Sequence, residues 1–235
     1  MYFNDELGKP HRSWRTGVDP TLQVQAFTTA GRELHADQVL YAYGRKPKTA
    51  SLGLEDVGVE RASGGAILVD EDARTSVPSI FGVGDVTNRV NLTPVAIREA
   101  QAFVDREFAG KPTRVDYSLI PTAVFTSPEI GCIGLTEEQA REQYPVVDIY
   151  KTSFRSLREA AVRGSEQTFF KLVVHGITGI VLGVHLLAED AAELVQSLAV
   201  ALRAGATIQD FQNTMAVHPT LGGGIVTMTK PTLRD

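Results

Sequence analysis

Two apolar stretches near the carboxy-terminal end, Thr168 to His175 and Ile180 to Leu187, are separated only by Gly176-Ile177-Thr178-Gly179. Strand-length runs joined by a short glycine-bearing turn fold back on each other as an antiparallel hairpin. An isolated hairpin is marginal in water, so further strands and a covering layer are required. Candidates for both lie nearby. Further strands are expected at Thr122 to Thr126 and Val146 to Phe154. Helices are expected at Thr136 to Gln143, Asp190 to Ala204 and Thr207 to Asn213. In the second of these Ala191, Leu194, Val195, Leu198 and Leu202 share one face, and Gly205 ends the run. From Val115 onward the chain therefore reads as an α+β unit, an antiparallel sheet with flanking helices.

The first half has a different texture. A strand from Leu22, a turn at Thr29-Ala30-Gly31-Arg32 and a second strand from Asp37 to Tyr43 are expected, closed by Gly44-Arg45-Lys46-Pro47. A short strand follows at Ala66 to Asp70, and Pro78 to Asp85 reads as a buried strand ending in Gly82-Val83-Gly84-Asp85. Thr93 suits the N-cap of a helix running to about Phe108, with Pro94 at its first position. Gly110-Lys111-Pro112 marks a boundary. The meander before Gly44 has nothing upstream to cover its apolar face, which suggests a piece of something larger.

Chemistry by spacing alone is sparse. Gly82-Val83-Gly84 supplies two glycines of a dinucleotide-binding turn, but Thr87 stands at the third position. The sequence holds one cysteine, Cys132, so no intrachain disulfide forms; it reads as a small buried residue in a strand. Five scattered histidines offer no metal-ligand spacing, and no metal is expected. A net charge of -5 argues against nucleic acid or an anionic membrane as the main partner. Met1 to Glu6 has neither a basic start nor an apolar run, so a cytoplasmic location is the expectation.

Several segments, in order, resemble one family, the flavin-dependent pyridine nucleotide-disulfide reductases. Asp37 to Pro47 resembles the end of their NAD(P)-binding domain, and Thr75 to Asp85 their second FAD motif. Ile120 to Phe125 and Ser127 to Gly131 resemble the start of their interface domain, and His218-Pro219-Thr220 their terminal catalytic motif. Asn91 to Glu99 and Phe154 to Leu157 are most similar to glutathione reductases of the plant and cyanobacterial kind. The resemblance implies an NAD(P)-domain remnant over 1–47, part of an FAD-binding domain over 48–113, and a dimerisation domain over 114–235.

The same resemblance assigns roles. Asp85, preceded by Gly84, would hold the ribityl chain of FAD, Thr93 would start the helix aimed at the flavin, and Gly44 would lie near the nicotinamide nucleotide. His218 would be the acid-base residue, reaching across a homodimer to the partner's cysteine pair. FAD and NADPH are the implied cofactors of the complete enzyme, and glutathione disulfide the implied substrate. No Cys-x-x-x-x-Cys occurs here, so the chain by itself is expected to reduce no disulfide. It also departs from the family pattern His-Pro-Thr-x-x-Glu-Glu, with Gly223 and Gly224 where the glutamates belong. Two alternatives stay open: a non-catalytic dimerising module derived from the family, and a fragment of a dihydrolipoamide dehydrogenase.

Overall fold

The computed structural model describes residues 24–28, 30–36, 38, 40–42 and 44–233. The chain divides into two compact units, Met1–Arg114 and Val115–Asp235.

In the second unit the hairpin forms as β6 (Thr168–His175) and β7 (Val181–Ala188), and it is the centre of a five-stranded antiparallel sheet. Around it lie β3 (Thr122–Val124), β4 (Glu129–Gly134) and β5 (Val147–Phe154), in the order β3-β4-β7-β6-β5. Alternation divides the side chains between two faces. Phe170, Leu172 and Val174 of β6, with Val184 and Leu186 of β7, build the main core. Helix α4 (Ala191–Arg203) covers that face with Ala191, Val195 and Leu202, as its apolar stripe requires, while Leu194 and Leu198 pack at the margin. Behind the sheet, Val147, Ile149 and Val173 pack on Ala140 of α2 (Glu137–Gln143).

Local chemistry sets the helix ends. Thr136 accepts from the amide of Gln139 while the Gln139 side chain accepts from the Thr136 amide, and Thr207 and Asp210 make the same reciprocal pair at the start of α5 (Ile208–Asn213). Two short helices were not expected from the sequence: α3 (Leu157–Ala161), capped by Ser156, and α6 (Gly223–Val226). Cys132 lies in β4 as expected, but it is half-buried, facing the α2 side of the sheet opposite His185.

The first unit departs further from expectation. An antiparallel hairpin is present, but its strands are β1 (Val24–Phe27) and β2 (Glu33–Ala36). The second strand thus lies earlier than Asp37 to Tyr43, where the described residues have no regular structure. Leu22, Thr29, Asp37 and Tyr43 fall outside the described residues. Neither Ala66 to Asp70 nor Pro78 to Asp85 is a strand. Each pairs at a single bridge, Arg61 with Ile67 and Arg74 with Phe81, because curving loops rather than a straight neighbour lie alongside. Helix α1 (Thr93–Glu107) has the expected extent. Its N-cap is Leu92, with no side-chain cap bond, so Thr93 is the first helical residue and Pro94 the second. No described helix is long and apolar enough to cross a membrane.

His185 gives the second unit a pH dependence. Its Nε2 lies 3.0 Å from the Leu135 carbonyl, and burial, aided by the nearby Lys171 charge, holds its pKa below the usual histidine value although that carbonyl opposes the shift. A histidine depressed in the folded state stabilises the fold above its unfolded pKa of about 6.5 and loses that contribution as pH falls. Urea unfolding between pH 7 and 5 should show a declining stability, and His185→Gln should flatten the slope.

Candidate functional site

Two regions carry the candidate residues, one in each unit. In the first unit the chain passes from Gly82 (buried) through Val83 into a 3-10 turn, Gly84–Thr87, beside the start of α1. Gly84 has φ +70°, and a Cβ placed there would stand 2.9 Å from that of Ala96. Only glycine meets both conditions, a left-handed backbone and contact with the helix. The amide of Gly84 donates to Glu99 Oε2 at 2.6 Å, and the Thr87 hydroxyl donates to the Gly84 carbonyl at 2.9 Å. Glu99 is only 6% exposed. Its position on the buried stripe with Val95 and Ala102 was a signal in the sequence, a carboxylate where an apolar residue belongs.

This turn projects Asp85, whose side chain is half exposed. Arg45 Nη1 approaches Asp85 Oδ2 at 3.4 Å. The ion pair links the turn to the segment that follows Gly44. Gly44 is exposed, has φ +118°, and has open space where a side chain would begin. Thr93 is exposed at the head of α1. The expectation that its hydroxyl caps the helix fails because the residue sits one position too far along the chain. A carboxylate, a glycine backbone without side-chain cover and a helix start together suit a polyhydroxylated, anionic ligand.

In the second unit a cavity of about 500 Å³ opens between the loop after β5, the β7–α4 turn and the segment before α6. His218 lines it and is exposed. The Thr220 hydroxyl donates to the Val217 carbonyl at 2.7 Å and accepts from the Gly223 amide at 3.2 Å, which closes the loop around His218. Also lining the cavity are Arg155, Arg158, Glu189 and Asp190, none of which the sequence singled out. Arg158 is ion-paired with Glu189. They come from the β5–α3 segment and the β7–α4 turn, which only the fold brings together.

The two glycines of the departure from the family pattern differ in kind. At Gly223 a Cβ would make ordinary contacts, 3.5 Å from Ala216 and 3.6 Å from the Thr220 hydroxyl. At Gly224 it would stand 2.6 Å from the Phe154 ring, which already fills that space and packs edge-on against Phe170. A side chain fits at the first position and not at the second.

Comparison with known proteins gives a consistent picture. Residues 120–229 match the family model described as the pyridine nucleotide-disulphide oxidoreductase dimerisation domain, and residues 13–100 match that of pyridine nucleotide-disulphide oxidoreductase. The chain is 48% identical over 205 residues to the chloroplastic/mitochondrial glutathione reductase of Pisum sativum, covering 87% of this chain and 37% of that protein. It is 46% identical over 235 residues to the glutathione reductase of Burkholderia cepacia, covering 97% and 52%. Trypanothione reductase of Leishmania donovani is 41% identical over 236 residues, at 96% and 48% coverage. Among solved structures, the Cu(II) complex of a cysteine-to-serine mutant of the HOCl-induced flavoprotein disulfide reductase RclA from Escherichia coli superposes with a TM-score of 0.83 at 25% identity, over 96% of this chain and 49% of that one. The chain thus spans about a third to a half of the length of these relatives.

The turn before α1 is rigid only while residue 84 lacks a side chain. Gly84→Ala should destabilise the first unit by about 1–3 kcal/mol through backbone strain and the clash with Ala96. Urea unfolding, with hydrogen exchange of the α1 amides to localise the loss, measures it.

Proposed function

Because the chain belongs to the pyridine nucleotide-disulphide oxidoreductase family, we propose that it supplies part of the flavin site, the dimer interface and the acid-base histidine of an FAD-dependent, NADPH-linked glutathione-disulfide reductase. Residues 1–47 are assigned to the NAD(P)-binding domain, 48–113 to the FAD-binding domain and 114–235 to the dimerisation domain. The observation that carries the reading is the exposed His218 on the cavity of a unit that matches the family's dimerisation domain.

Residues of the first unit fit the cofactor. Asp85 would accept hydrogen bonds from its sugar-chain hydroxyls once Arg45 yields the carboxylate. Gly84 lets the turn lie close to α1, and the helix start at Thr93 would offer its positive end to the bound flavin. Bound there, FAD would relay electrons from NADPH to a disulfide. Gly44 would border the nicotinamide nucleotide.

What His218 contributes is a proton. Thiol-disulfide exchange requires that a departing thiolate be protonated and an attacking thiol deprotonated, and imidazole does both near neutral pH. The side chain has no hydrogen-bonding partner among the described residues, so in this reading its thiol partner lies on the other subunit of a homodimer. Glutathione disulfide is the substrate most in keeping with the named relatives.

Joining this chain to the amino-terminal part of the Burkholderia cepacia glutathione reductase tests the proposal. The chimera should bind flavin and oxidise NADPH when glutathione disulfide is supplied, and His218→Gln should lower kcat by about 10²–10⁴-fold. A flavin-loaded dimer that reduces no glutathione disulfide would sink it.

A second reading, a dimerising module without redox chemistry, is favoured by one observation, the absence of the family's glutamates at Gly223 and Gly224. Since a side chain fits at Gly223, Gly223→Glu in the chimera should raise turnover by restoring a carboxylate beside His218. Equal rates for the two proteins would remove the missing glutamate as an explanation for weak activity.

A further inference from the structure

A histidine that moves protons works best when a third group holds its ring and supports its charged form. Around His218 the structure offers two carboxylates, because Glu189 and Asp190 line the same cavity. They are not equivalent. Glu189 is ion-paired with Arg158, so its charge is already met. The Asp190 carboxylate has no hydrogen-bonding partner among the described residues.

Asp190 is also oddly placed for an ordinary capping residue. It stands at the N-cap of α4, where aspartate usually accepts a bond from an amide of the first helical turn, yet its side chain makes no such bond. Its backbone is left-handed, φ 58° and ψ 23°, a conformation that costs free energy in any residue but glycine. Asparagine and aspartate tolerate it best. The left-handed turn leaves the carboxylate uncommitted to the helix, and it contributes to the wall of the cavity that holds His218.

We propose that Asp190 is the positioning residue for His218, its uncommitted carboxylate sharing the cavity with the imidazole and favouring the protonated ring. This deepens the reductase reading and rests on it for the role of His218. The charged groups lining the cavity are Arg155, Arg158, Glu189 and Asp190. Arg155 opposes protonation of the ring, Arg158 and Glu189 offset each other, and Asp190 is left as the group that supports it.

The test reads the imidazole itself in the full chain, with no cofactor or substrate present. The ring Cε1–H signal of His218 is assigned by its loss in His218→Gln and titrated by NMR at physiological ionic strength. Asp190→Asn keeps the side-chain shape and the tolerance for a left-handed backbone while removing the charge. It should lower the His218 midpoint by about half a pH unit or more. Glu142→Gln, on α2 and outside the cavity lining, removes an equal charge and serves as control. A midpoint that falls no further in Asp190→Asn than in Glu142→Gln overturns the proposal. Should Asp190→Asn fail to fold, Asp190→Gly accepts the same backbone and answers the same question. Because the titration needs no turnover, an inactive chimera would count against the reductase reading alone, and an unmoved midpoint against Asp190 alone.

Discussion

Helix α4 lies against the sheet at Gly131, and the arrangement of the second unit follows from that approach. A Cβ at Gly131 would stand 2.6 Å from the Ala191 carbonyl and 3.1 Å from Val195, so the first turn of α4 rests directly on the backbone of β4. The hairpin's second strand, β7, pairs directly with β4, and α4 follows β7 after two residues. The turn between them, Glu189–Asp190, therefore has no freedom to wander. It is held on one side by the β7 ladder and on the other by the helix seated at Gly131. The placement of both carboxylates in the cavity wall, which Phe154 and His218 also line, is a consequence of this packing.

Rigidity in the first unit has a different origin. Val86 of the turn before α1 packs on the cluster of Leu54, Val59 and Ile67, and one buried carboxylate and one bare glycine tie the turn to the helix. Glu99 accepts the Gly84 amide, and the absent side chain lets Ala96 approach. A buried charge is costly unless hydrogen-bonded, so this bond matters more than an exposed one of equal length. Asp85 is held in place by this turn while its carboxylate stays half exposed and reachable. In the proposed reading, a ligand hydroxyl would compete there with the Arg45 guanidinium for the Asp85 carboxylate.

Legibility in the sequence varied with the range of the interactions. The strands of the second unit and α1, α2, α4 and α5 were visible because alternation, helical spacing and capping residues act within a few positions. β6 matched to the residue. The second strand of the amino-terminal hairpin was placed too late, and two single-bridge segments were read as strands. Apolar β-prone runs such as Ala66 to Asp70 become strands only when a neighbour offers a ladder, and that neighbour is a matter of tertiary structure. The short helices α3 and α6 were missed, the latter because three glycines oppose helix formation locally.

By itself, the amino-acid sequence determined the antiparallel sheet with flanking helices, the glycine-rich turn ahead of a helix, and the ordered motifs that mark the family. These are local or linear properties, and each is written within a few consecutive residues. Tertiary structure alone decided that Phe154 fills the space at Gly224 while Gly223 stays open. It also decided that Glu99 reaches back fifteen positions to hold Gly84, and that Asp190 and His218 share a cavity. Such contacts join residues far apart along the chain, and close packing chooses among them. Spacing carries no record of that choice.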